Sequence, residues 1–196
     1  MRTRHLVASS ALLLAVSAAV AGCASSSGLE QQWGDGKGYV SADQLVTEVA
    51  PEDRGDPIEF ESALSDGTKI TAADYRGEVA VLNFWFAACG PCRGEATDLQ
   101  AVSEDVADEA VFLGVNVKDQ PDTADAFTRR FGVTYPTAID ANTGAVQLAF
   151  AGRTAPNATP ATFVLDREGR VSARVLGAVE PSILRALVET AAETPR

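Results

Sequence analysis

Two thiols three residues apart, Cys89 and Cys92, are the pair in this chain best placed to do chemistry. They follow a near-continuous apolar run, Val79 to Phe86, and open a segment with helical spacing. In the first turn of a helix such a pair can close a small disulfide ring. Unpaired backbone N–H groups and the positive end of the helix dipole favour a thiolate at Cys89. Pro91 suits the same turn, where its missing N–H is no loss. Cys92, one turn in, is expected to be the more buried thiol. Cys89 is then the expected nucleophile, forming a mixed disulfide with a substrate, and Cys92 the thiol that resolves it. The spacing alone also fits a structural disulfide or half of a metal site. The metal option lacks ligands, because the one histidine is His5 and the third cysteine, Cys23, has another expected fate. No metal and no cofactor are expected.

That fate is read from the N-terminus. Arg2, Arg4 and His5 precede a 15-residue stretch, Leu6 to Val20, broken only by Ser9, Ser10 and Ser17. The stretch is too short for a hydrocarbon core of about 30 Å and reads as a secretory signal. It stops at Val20-Ala21-Gly22-Cys23, which resembles a bacterial lipoprotein lipobox. The resemblance implies cleavage before Cys23 and lipidation of its thiol. Loss of Arg2 and Arg4 would take the formal net charge from −11 to −13. So acidic a protein is not expected to bind nucleic acid or to adhere to an anionic membrane by charge. A lipid anchor would hold it instead. Its chemistry is then expected outside the cytosol, where disulfides persist.

The elements that must position the thiols follow. The chain has 196 residues, with 46% hydrophobic and 22% charged residues, which suits one folded domain plus extras. Residues 1–22 read as the signal and 23–56 as a lipidated tether and N-terminal extension. Within the extension, residues 39–57 are expected to pack loosely or pair as an edge. Residues 57–196 read as the main domain. Ile58 to Leu64 suggests a strand, and Ala72 to Tyr75 a helical turn. Val79 to Phe86 reads as a central strand buried on both faces. After Cys89 a helix runs to about Ala107, with Leu99, Val102 and Val106 on one face. A strand at 111–117, a helix at 123–131, a short strand at 137–139 and a loop from there to Pro156 come next. Strands at 162–166 and 171–176 precede a last helix carrying Ile183, Leu184, Leu187, Val188 and Ala191. Alternating elements of this kind imply an α/β fold, a mixed sheet flanked by helices, with an antiparallel edge at the last two strands.

Asn83-Phe84-Trp85-Phe86-Ala87-Ala88-Cys89-Gly90-Pro91-Cys92-Arg93-Gly94-Glu95 resembles the thioredoxin active site, and most closely that of the TlpA/ResA group of membrane-anchored oxidoreductases. Gly132 to Pro136 and Ala158 to Gly169 are further matching landmarks. The resemblance runs from about Pro57 to Ala192 and implies a thioredoxin-like fold. It implies a cis peptide bond at Thr159-Pro160, facing the cysteines and pairing with an extended substrate. Gly90 and Pro91 would border the same substrate. It also matches Glu95 to the acidic residue that this group carries there, and its place one helical turn beyond Cys92 suits a general base for that thiol, directly or through water. The other reading of Glu95 is a surface residue favoured by the helix dipole. Asn83 departs from cytosolic thioredoxins, which carry a buried acid there, and Ala88 replaces a common tryptophan. Arg93 reads as solvated, and Phe84 and Trp85 as core.

Together these features point to a monomeric thiol-disulfide oxidoreductase on the outer face of a bacterial cell membrane. The Gly-Pro dipeptide is that of thioredoxin, a reductant at about −270 mV. The expected direction is therefore reduction of disulfides in exported proteins, for example in cytochrome c maturation. An integral membrane thiol carrier would supply the electrons. An oxidant that introduces disulfides is the alternative. A peroxiredoxin-like peroxidase would need Thr or Ser where Phe86 stands, and a non-catalytic binding lipoprotein would leave the thiols idle.

Overall fold

The computed structural model describes residues 45–152 and 159–193. Cys23, the signal segment, the tether and the loop before Thr159 lie outside the described residues. A six-stranded sheet runs in the order β1-β8-β7-β4-β5-β6. Its strands are β1 (Leu45–Glu48), β4 (Val79–Trp85), β5 (Ala110–Asn116), β6 (Thr137–Ile139), β7 (Ala161–Leu165) and β8 (Val171–Leu176). β4, β5 and β6 are parallel, while β7, β8 and β1 alternate in direction. A separate hairpin joins β2 (Glu61–Ala63) to β3 (Lys69–Thr71). The helices are α1 (Gly90–Asp105), α2 (Pro121–Phe131), α3 (Ala145–Ala149) and α4 (Pro181–Ala192). This is the thioredoxin-like arrangement of a mixed sheet between helices.

Every residue of β4 is buried. Side chains alternate across a strand, so β4 feeds two cores. Val79 and Val81 join Leu99 and Val102 of α1 and Leu184, Leu187 and Val188 of α4. Ala80, Leu82 and Phe84 meet Phe150, Phe163 and Ile58 on the other face. Parity then sends Asn83 and Trp85 to the α1 side. A third cluster packs Trp85 against both cysteines, Ala96, Ala124 and Phe127.

Of the two expectations for the extension, residues 45–48 take the edge: β1 pairs with β8 in register, so the sheet begins before residue 57. Arg54, just beyond it, donates to Asp166 at 3.0 Å in a fully buried ion pair. Two other expectations, the strand over 58–64 and the loop before Pro156, are revised. The strand expected over 58–64 shrinks to Glu61–Ala63 because its partner, β3, is itself three residues long. The loop expected before Pro156 contains α3. The buried carboxylate of Asp140 accepts the N–H groups of Val146 and Gln147 and so caps this short helix.

Gly114 lets β5 pass close to the indole of Trp85. A Cβ there would lie 2.9 Å from Trp85 Nε1 and 3.0 Å from Thr137 Oγ1. Gly114→Ala is expected to destabilise the fold by about 1–3 kcal/mol through overpacking. Urea denaturation would measure it, and an unchanged midpoint would contradict the close approach.

Candidate active site

The site lies at the carboxyl ends of β4 and β5, where their loops meet the start of α1. Cys89 is the N-cap of α1, and its Sγ accepts the N–H of Cys92 at 3.2 Å. The two cysteines form a disulfide with their Cα atoms 5.3 Å apart. Cys89 is 5% exposed and Cys92 2%. Gly90 and Pro91 between them are exposed. Thr159-Pro160 is a cis peptide bond. β7 starts at Ala161 opposite Phe84, which sets this pair at the same end of the sheet as the cysteines.

Glu95 is not a surface residue. The helical spacing of three from Cys92 puts both side chains on the inner face of α1. Glu95 is 4% exposed. Its Oε1 accepts from Asn83 Nδ2 at 3.0 Å, and its Oε2 accepts the N–H of Val179 at 2.9 Å. Asn83 Nδ2 also donates to Thr162 Oγ1, its cross-strand neighbour on β7. Burial raises the Glu95 pKa to about 7, and the two hydrogen bonds only partly oppose that. A small cavity of about 10 Å³ adjoins Cys92 and Asn83, with Trp85 and Tyr135 among its walls. It has room for roughly one water molecule. Burial, and then the charge of Glu95, raise the Tyr135 phenol.

The sequence reading missed a clamp on the loop before Cys89. Asp119 Oδ2 accepts the Ala87 N–H at 2.6 Å, and Arg93 Nη1 donates to the Ala87 carbonyl at 3.3 Å. Asp119 is held in turn by Asn116, whose Nδ2 donates to the same oxygen. Asn116 Oδ1 accepts the N–H groups of Lys118 and Asp119, closing a turn. An Asn ending an apolar strand, with Asp three residues on, carries that turn signal in the sequence. That the Asp119 carboxylate also reaches Ala87 is visible only in the fold. Arg93, expected to be solvated, is exposed but engaged in this way.

Comparisons with known proteins agree with this geometry. The AhpC/TSA family model matches residues 55–174. The thiol:disulfide interchange protein HelX of Rhodobacter capsulatus is 32% identical over 144 residues, covering 71% of this chain and 73% of that protein. The thiol-disulfide oxidoreductase ResA of Geobacillus thermodenitrificans is 28% identical, covering 64% and 70%. The crystal structure of a secreted thiol-disulfide isomerase from Corynebacterium glutamicum superposes with a TM-score of 0.70 at 27% identity, covering 80% and 98%. The chain belongs to the AhpC/TSA family and, within it, to the thiol-disulfide oxidoreductases of the ResA and HelX type.

Proposed function

We propose that this oxidoreductase is exported, lipid-anchored through Cys23, and reduces disulfides in exported proteins through Cys89 and Cys92. The observation that carries the reading is the cysteine pair at the start of α1 with Glu95 one turn behind it. The name of the secreted structural relative supports an extracytoplasmic site. No helix among the described residues is long and apolar enough to cross a membrane. The lipobox-like segment supplies the anchor in this reading, and the protein acts as a monomer. Phe86, three residues before Cys89, argues against peroxide as substrate.

The reaction balances as two exchanges. The Cys89 thiolate attacks one sulfur of a substrate disulfide, and the other substrate sulfur leaves as thiolate and takes a proton. The Cys92 thiol gives its proton to the Glu95 carboxylate, directly or through a water in the adjoining cavity. The Cys92 thiolate then attacks Cys89 Sγ. The second substrate sulfur leaves as thiolate and becomes a thiol. The substrate gains two electrons and the enzyme ends as the Cys89–Cys92 disulfide. A dithiol carrier in the membrane returns the two electrons. Thr159, Pro160, Gly90 and Pro91 line the path of the substrate chain. Maturation of cytochrome c is one process that consumes such reduced thiols.

Cys89→Ser is expected to abolish exchange, whereas Cys92→Ser is expected to accumulate mixed disulfides visible on a non-reducing gel. Normal turnover by Cys92→Ser would reverse the assigned roles. A reduction potential near −270 mV would fit a reductant, and one near −120 mV an oxidant, taking thioredoxin and a strong disulfide donor as approximate limits.

Glu95 accepts a proton only when ionised. Resolution by Cys92 is therefore expected to quicken as pH rises through about 7 and to level off above it. Glu95→Gln should slow that step about tenfold to a hundredfold and erase the inflection. Stopped-flow release from a preformed mixed disulfide would measure both, and an unchanged profile would remove Glu95 from the mechanism.

A further inference from the structure

Three cations border the cysteines without an acidic partner. Lys118 Nζ lies 4.1 Å from the centroid of the Phe86 ring. Arg93 and Arg130 lie over the Phe131 ring, with Cζ at 5.3 and 5.8 Å from its centroid. All three cations are exposed and both rings are half-buried. Among the described residues none of the three enters an ion pair, a state they share with Lys69, Arg129 and Arg167; what sets them apart is the ring beneath each. The rim is continuous with the reactive sulfur. The Phe86 carbonyl accepts the Cys89 N–H, and the Arg93 N–H donates to the Cys89 carbonyl, both at 3.1 Å.

Of the three side chains only that of Arg93 has a polar contact among the described residues, to the Ala87 carbonyl. Arg130, in the last turn of α2, suits the helix dipole, but Arg93 stands in the first turn of α1, where a cation is disfavoured. The nearest carboxylate in sequence to Lys118, Asp119, is turned inward onto Ala87 and Asn116. Asp122 and Asp125 belong to the first half of α2, and Asp98 lies further along α1. Rings beneath the cations remove water from one side and leave the charge open to a partner on the other.

We infer that this rim is a docking surface for an acidic polypeptide segment flanking the disulfide to be exchanged. The inference rests on the exchange reading above and names the substrate class for it. The occupant is chosen by charge. The chain as a whole is strongly acidic, with a formal net charge of −11, and repels such a segment. Attraction is confined to the rim, so an acidic segment that binds is held with its disulfide beside Cys89. Such complementarity acts on orientation and encounter rate.

Two disulfide-bridged peptides of equal length, one flanked by Asp and Glu and one by Lys, test this on the full-length protein. Reduction of the acidic peptide is expected to be about fivefold faster at low salt, with the ratio falling toward one as salt screens the rim. Lys118→Glu combined with Arg130→Glu should reverse the preference, and Lys118→Gln alone should reduce it. Lys69→Glu, an equal change of charge on an exposed position of β3, should leave the ratio unchanged. Equal rates for the two peptides, a preference for the lysine peptide, or a ratio indifferent to the rim variants would overturn the docking surface while leaving exchange intact. Failure to reduce either peptide would sink the exchange reading and this inference with it.

Discussion

The Glu95 carboxylate is buried with no cation beside it among the described residues, and the geometry around the disulfide depends on how that group is satisfied. An ionised carboxylate is costly to bury unless hydrogen bonds compensate it. Its two donors come from distant parts of the chain: Asn83 on the central strand and the backbone of Val179 just before α4. Both reach it only if α1 lies in one position across the sheet. The same contacts therefore fix the height of Cys92, one turn away. Compensation by neutral donors is incomplete, and the proton of Glu95 is left balanced near neutrality. A salt bridge would have fixed the helix equally well but would have held the carboxylate ionised.

Much of this was legible in the sequence because it is local. The eight-residue apolar run announced a central strand, and all seven residues of β4 are indeed buried. The cysteine spacing with Pro91 announced a helix start, and Cys89 is the N-cap. The spacing of Ile183, Leu184, Leu187, Val188 and Ala191 announced the inner face of α4; the last four are buried and Ile183 is half-buried beside them. What the sequence hid was long-range. β1 is four residues long, and its identity rests on pairing with a strand well over a hundred residues away. α3 is capped by Asp140 rather than by a neighbour of the usual spacing. For Glu95, a carboxylate in the first half of a helix reads equally as surface or core. Only the docking of α1 on Asn83 decides it, and that docking is tertiary.

The loop before Cys89 shows how a nearly buried thiol is held in place. Ala87 carries no functional group, yet its N–H and its carbonyl are both engaged by charged side chains, Asp119 and Arg93. Clamping a peptide unit leaves the short side chains of Ala87 and Ala88 outside the clamp. Arg93 keeps its guanidinium over Phe131 at the surface. One side chain thus joins the support of the Cys89 loop to the Phe131 ring at the surface.

That junction separates two scales of electrostatics in an acidic chain. Fields from scattered surface charges fade over roughly 8–10 Å at physiological salt. A partner that contacts the Phe86 and Phe131 rings meets Arg93, Lys118 and Arg130, which enter no ion pair among the described residues. A net charge computed for the whole chain has the opposite sign to this rim. The sign relevant to a docking partner had to come from the fold, because Lys118 and Arg130 are drawn to the same end of the sheet by elements that the sequence separates.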